Sequence, residues 1–313
     1  MTTRTPFDLT SAGVRCAATH FAGDEGAPVV VLAHGLAGTQ DAGMWPFAEA
    51  FAAAGLHAVT FDYRGFGASD VAPGVPRQVV SLADQVADLH AAVDAAKRLP
   101  GVDPTRVVLW GASLAGGHVV SVAAERADVA AVVSVVPLVD GLAAARLATK
   151  HHAPGQLLAS TGRGLASAVR RRAGRGPAMI PVVARPGETG ALTVPGAYED
   201  YLAIAGPTWR NEIAADVVLE LGSRAPAKAA ATLSVPWLVQ VADFDRSAPL
   251  QATMKAAFAG RAEVRHYPGD HFDLFAGKPC HDAAVRHAIH FLARVFPDLA
   301  VHPSEEPACS TSS

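Results

Sequence analysis

Short, unbroken apolar runs recur along the chain, and between them the apolar positions change to a spacing of three and four. The runs are Val29-Val30-Val31-Leu32-Ala33, Ala58-Val59-Thr60-Phe61, Val107-Val108-Leu109-Trp110, Val132-Val133-Ser134-Val135-Val136 and Trp237-Leu238-Val239-Gln240-Val241. Runs of this length and β-branched content read as strands buried on both faces. Helical patterns fall between them, from Trp45 to Ala54, from Val79 to Leu99 and from Leu114 to Arg126. Strand and helix alternation of this kind predicts an α/β fold, a parallel sheet with right-handed crossovers. Ligands bind such sheets at the carboxyl ends of the strands.

Polar and glycine-rich residues collect where that rule requires. His34-Gly35 follows the first run, Asp62-Tyr63-Arg64-Gly65 the second and Gly111-Ala112-Ser113 the third. Asp243 and Asp245 follow a later run, and His271 comes after the last strand-like segment, Glu263-Val264-Arg265-His266-Tyr267. Residues 141–232 break the rhythm with proline and glycine clusters and short helical stretches. A connection this long between buried strands predicts an inserted lid rather than a loop. The expected division is a core at 1–140 and 233–301, a lid at 141–232 and a flexible tail at 302–313.

Composition narrows the possibilities. Half of the 313 residues are hydrophobic and 18% are charged, a balance that suits a packed domain and excludes a disordered chain. A net charge of −3 argues against nucleic acid as the main partner. The lid is the exception, with eleven Lys or Arg against six Asp or Glu, the group Arg170-Arg171-Arg172 among them. A solvated face is the simpler reading of that patch, and recognition of an anionic or carrier-bound substrate is the alternative. Three distant cysteines, Cys16, Cys280 and Cys309, form neither a disulfide framework nor a C-x-x-C pattern, which points to a cytoplasmic setting. The N-terminus lacks the apolar core of a signal peptide, and no apolar run reaches bilayer length, so no membrane partner is expected.

The strongest chemical signal is Gly111-Ala112-Ser113-Leu114-Ala115-Gly116-Gly117. A serine among small residues on a sharp strand-to-helix turn holds its hydroxyl up into a site, as in the G-x-S-x-G nucleophile elbow. Ala115 stands where that pattern has its last glycine. A serine hydroxyl needs a base to take its proton and a third group to orient the base. His271, on the turn Tyr267-Pro268-Gly269-Asp270-His271-Phe272, suits the base, because a flexible Gly-Asp pair can direct its ring into the site. Asp245, before the helix start Ser247-Ala248-Pro249, is preferred to Asp243 as the acid, and Asp243 is left to backbone donors at the strand end. The backbone amides of Leu36 and Leu114 are candidates for the oxyanion hole.

Other histidines read as structural. His34 suits a loop support, His287 and His290 are expected on the solvent face of the last helix, and His151-His152 on the lid surface. No metal or cofactor is expected, and the loop His34-Gly35-Leu36-Ala37-Gly38 lacks the spacing of a phosphate-binding motif. Tyr198, Tyr201, Leu202 and Trp209 either line an acyl pocket or pack the lid onto the core.

On His34-Gly35-Leu36, Asp62 to Ser69, Gly111 to Gly117, Asp245 and His271, the chain resembles the α/β-hydrolase superfamily over most of its length. Residues 32–55 and 103–140 look like microbial serine hydrolases and polyketide acyltransferases within it. That resemblance implies an eight-stranded, mostly parallel sheet with helices on both faces and a lid between the sixth and seventh strands. The expected activity is hydrolysis of a small-molecule ester or thioester through an acyl-enzyme. Acyl transfer, amide or carbon–carbon cleavage, and a catalytically idle ligand receptor remain as alternatives.

Overall fold

The structure is a computed structural model that describes residues 3–150, 154–222 and 225–299. His151, His152, Cys309 and the expected tail at 302–313 lie outside the described residues.

The chain starts with β1 (Arg4–Ser11) and β2 (Val14–Phe21), followed by β3 (Ala27–Ala33), α1 (Trp45–Ala53), β4 (His57–Phe61) and α2 (Leu82–Ala96). It continues through β5 (Val102–Ala112), α3 (Leu114–Glu125) and β6 (Val129–Val135). Between the sixth and the next strand of the main sheet come α4 (Gly141–Ala148), α5 (Pro154–Arg172), β7 (Met179–Ile180), α6 (Ala197–Ile204), β8 (Ile213–Ala214), α7 (Val217–Leu221) and α8 (Ala227–Ala230). The chain then runs through β9 (Trp237–Ala242), α9 (Leu250–Ala259), β10 (Glu263–Tyr267) and α10 (His281–Val295).

The main sheet has eight strands in the order β1-β2-β4-β3-β5-β6-β9-β10. From β4 to β10 every pair is parallel, while β1 and β2 pair antiparallel with each other and β2 with β4. The parallel strands β3, β4 and β9 are buried at every position, as continuous apolar runs require. Helices α1 and α10 pack together, and α2 packs on α3 in a separate layer. All five apolar runs lie in parallel strands, and only the fourth extends one residue past its strand, at Val136.

The N-terminal hairpin is the addition to the expected pattern. β1 is exposed over Arg4, Thr5 and Pro6 and alternates only from Phe7 to Ser11, and its edge position accommodates Pro6, which lacks an amide donor. A two-residue turn joins the strands, with Ala12 at φ 47° and Gly13 at φ 79°, the signs that a tight hairpin twist demands. The helix expected from Val79 begins instead at Leu82, because the Ser81 hydroxyl accepts from the Asp84 amide and caps it there.

Candidate active site

Ser113 sits between the end of β5 and the first turn of α3, with φ 54° and ψ −118°. A side-chain-bearing residue in that region stores about 1–3 kcal/mol of strain, and the surroundings must over-determine it. They do so through the backbone. The Ser113 amide donates to the Val135 carbonyl at 2.9 Å, and its carbonyl accepts from Leu138 at 2.8 Å and Gly116 at 2.9 Å. A side chain at Gly111 would run into the Ala115 carbonyl, so that glycine lets strand and helix meet closely. Ala115 itself is fully buried, its methyl accommodated where the motif has glycine.

His271 Nε2 lies 3.0 Å from Ser113 Oγ, and His271 Nδ1 lies 2.8 Å from Asp245 Oδ2. Asp245 Oδ1 accepts the amides of Ser247 at 2.8 Å and Ala248 at 2.6 Å, so both carboxylate oxygens are engaged. Both side chains of the His271–Asp245 pair are about 5% exposed or less. Burial pushes the His271 imidazole down, but the Asp245 charge, its hydrogen bond and the charge of Asp270 outweigh that and raise it above the usual histidine value. Asp243 faces away from this chain of bonds. Its Oδ1 pairs with the half-exposed ring of His266 at 2.7 Å, a partner on the neighbouring strand rather than the backbone donors expected for it.

The Leu114 amide opens α3 and therefore has no acceptor within the helix. The loop carrying Leu36 passes directly over the serine: a Cβ at Gly35 would lie 3.0 Å from Ser113 Cβ and 3.5 Å from Oγ. That loop is tied from below and above. Asp62 Oδ1 accepts the Gln40 amide at 2.7 Å, and the buried Tyr201 hydroxyl, from α6, donates to the Leu36 carbonyl at 2.8 Å. His34 supports the loop as the sequence suggests, buried with Nδ1 3.1 Å from the Gly35 carbonyl. Burial pushes His34 down to about 4, so its ring is neutral at physiological pH.

Ser113, His271, Leu36 and Leu114 line a cavity of about 490 Å³. Its remaining wall comes mostly from residues between β6 and β9, including Leu147, Ile180, Leu192, Val194 and Val218. Of the four lid residues singled out from the sequence, none lines it. Tyr201 stacks on Trp209 with ring centroids 4.9 Å apart, Tyr198 lies under the Arg185 guanidinium at 4.3 Å, and Leu202 is 41% exposed. Arg170, Arg171 and Arg172 are exposed and stand outside the cavity, with Arg171 bonded to Asp216. Arg163, between β6 and β9, lines the cavity and its guanidinium donates to Thr189 Oγ1 at 2.9 Å.

Two expectations need correction. His287 does not stand free in solvent: it is half-buried, with Nδ1 2.8 Å from the Tyr267 hydroxyl, because α10 lays that side over β10. The Gly269-Asp270 pair, expected to be flexible, is tied by hydrogen bonds at Asp270. Asp270 Oδ1 accepts the amides of both His271 at 2.8 Å and Arg246 at 3.0 Å, and Asp270 also pairs with the Arg246 guanidinium. Sequence reasoning gave no role to Asp270 or Arg246, although an acidic residue directly before the candidate base was a signal for the first, and of the two roles left open for Tyr201 the packing one holds.

Among the described residues no cluster of His, Cys, Asp or Glu has the arrangement to hold a metal ion, and no helix is long and apolar enough to cross a membrane.

Comparison with known proteins agrees with this fold. The profile of the serine aminopeptidase S33 family, Hydrolase_4, matches residues 24–269. The quorum-quenching protein AidA of Acinetobacter baumannii is 36% identical over 273 residues, 86% of this chain and 87% of that protein. The thiohydrolase aneE of Aspergillus aculeatus is 32% identical over 132 residues, 42% of this chain and 41% of its own length. Among solved structures, the α/β hydrolase GrgF from Penicillium superposes with a TM-score of 0.78 at 22% identity, covering 94% of this chain and 99% of that one.

Proposed function

The chain belongs to the serine aminopeptidase S33 family of α/β hydrolases, and from that premise we propose that it cleaves an ester or thioester through an acyl-enzyme on Ser113. The observation that carries the reading is the bonded series Ser113 Oγ, His271, Asp245, opening into a cavity lined largely by aliphatic side chains. Ser113 Oγ attacks the carbonyl carbon while His271 Nε2 takes the hydroxyl proton. Asp245 holds the other ring nitrogen and stabilises the imidazolium that results. The negative oxygen that develops is met by the amides of Leu36 and Leu114. Collapse of the tetrahedral intermediate expels the leaving group, which takes the proton from His271 Nε2. Water activated by the same nitrogen then adds to the acyl carbon and releases the acid and Ser113.

Residues 141–232 act as the lid that shapes the acyl site, and the aliphatic wall they supply suits an apolar acyl chain. An alcohol or amine in place of water makes the same site an acyltransferase. A specific likeness favours keeping that second reading: a polyketide transferase, grgF, is 32% identical to this chain over 120 residues. A cytoplasmic location is part of the proposal, supported by the unbridged, buried thiols of Cys16 and Cys280.

The test is a panel of p-nitrophenyl esters of increasing chain length, an acyl thioester series and an amide, with Ser113→Ala as the blank. Turnover of esters or thioesters by the wild type and none by the blank is expected. Turnover surviving in the blank, or confined to the amide, overturns the proposal.

A further inference from the structure

Two loops meet at the base. The turn after β9 brings Asp245 and Arg246, and the turn after β10 brings Asp270 and His271. Asp270 joins them through three bonds: Oδ1 accepts the His271 amide at 2.8 Å and the Arg246 amide at 3.0 Å, and Oδ2 accepts Arg246 Nε at 2.6 Å. The neighbouring Asp273 holds Asp270 in turn, its Oδ2 accepting the Asp270 amide at 2.7 Å. Arg246 also lines the cavity, as do His271 and Ser113. A negative and a positive charge of the same pair therefore lie next to the imidazole that must exchange a proton.

We propose that Asp270 and Arg246 form a positioning pair that sets both the orientation and the proton affinity of His271. The proposal rests on the acyl-enzyme reading above. Asp270 joins the turn that carries the acid to the turn that carries the base, so the 2.8 Å contact between Asp245 and His271 is held by backbone amides on both sides. Arg246, paired with Asp270, carries the opposite charge and opposes the field that Asp270 exerts on the ring. Among the described residues, Asp245 is bonded to the ring, Asp273 stands behind Asp270, and Arg163 and Glu188 line the same cavity from the segment between β6 and β9. Asp270 acts on the ring in the raising direction, alongside Asp245.

Separating the charges gives opposite signs. Removing the Asp270 charge leaves an unpaired guanidinium near the imidazole and favours its neutral form. Removing the Arg246 charge leaves an unpaired carboxylate and favours the protonated form. The acid limb of kcat/KM reports the pKa of the free enzyme's base. With a neutral p-nitrophenyl ester, Asp270→Asn is expected to move that limb down by about half a pH unit, and Arg246→Gln to move it up by about as much, given a partly solvated pair. The asparagine keeps an oxygen to accept the two amides, and Arg246→Lys, which keeps the cation, is expected to leave the limb near its wild-type position. The double variant falls between the single ones.

A pair that serves only as a structural tie loses activity in both variants without opposite shifts, and that result overturns the proposal. If Asp270→Asn does not fold, the Arg246→Gln and Arg246→Lys limbs decide alone: coincident limbs contradict the assignment. An active wild type with unshifted limbs overturns this inference and leaves the acyl-enzyme reading intact, whereas retained activity in Ser113→Ala defeats the reading beneath it.

Discussion

The two walls of the cavity are made by different means. On the core side, Ser113, Leu114, Leu36 and His271 stand at strand ends, with Ser113 held by backbone bonds, the His271 amide by the Asp270 carboxylate and the Leu36 carbonyl by the Tyr201 hydroxyl from α6. On the other side, residues 141–232 present Ile180, Leu192, Val194 and Val218 from short helices, a two-stranded ribbon and loops. A reacting group displaced by about 1 Å loses about 100-fold in rate, and one methylene more or less on an apolar wall changes selectivity by about 1–3 kcal/mol. On the proposed reading, the first wall carries the reacting groups and the second meets the acyl chain.

The sharpest way to break that division is within the core. Asp245→Asn is expected to lower kcat by roughly 10³–10⁴-fold, because an amide in place of the carboxylate holds His271 in the wrong tautomer and no longer stabilises its cation. Asp243→Asn, two residues away and paired with His266 at the surface, is expected to stay within about 0.5 kcal/mol of wild type in both stability and activation free energy. Steady-state rates on one ester for both variants make the check. Equal losses would mean that the acid is misassigned.

Much of this core was legible in the chain. Unbroken apolar runs identified β3, β4, β5, β6 and β9 because strands covered on both faces leave no room for alternation. The strand-end rule then brought Ser113, Asp245 and His271 forward, and the structure brings them within hydrogen-bonding distance of each other. The edge hairpin β1–β2 escaped because one exposed face mixes polar residues into its pattern. Asp270 escaped for another reason: its role depends on two loops, 24 residues apart, meeting across parallel strands. Tyr201 illustrates the lid's difficulty, since its hydroxyl finds the Leu36 carbonyl across 165 positions of sequence. No local spacing encodes such a contact.

A smaller effect is expected on the lid side. Leu192→Trp fills part of the cavity, and it is expected to shift the preferred acyl chain to shorter lengths, with a selectivity change of about 1–3 kcal/mol between long and short esters. Replacing Arg170 and Arg172 with Gln, outside the cavity, is expected to leave the chain-length profile and the salt response unchanged. A salt response that weakens in this double variant would return the outer arginines to substrate recognition.

Labelling of the folded protein with a fluorophosphonate, followed by peptide mass analysis, tests the assignment of the nucleophile most directly. One phosphonyl group on the peptide containing Ser113 is predicted for the wild type, with no adduct in Ser113→Ala and a strongly slowed one in His271→Ala. No adduct on the wild type, or an adduct that persists in Ser113→Ala, would contradict it.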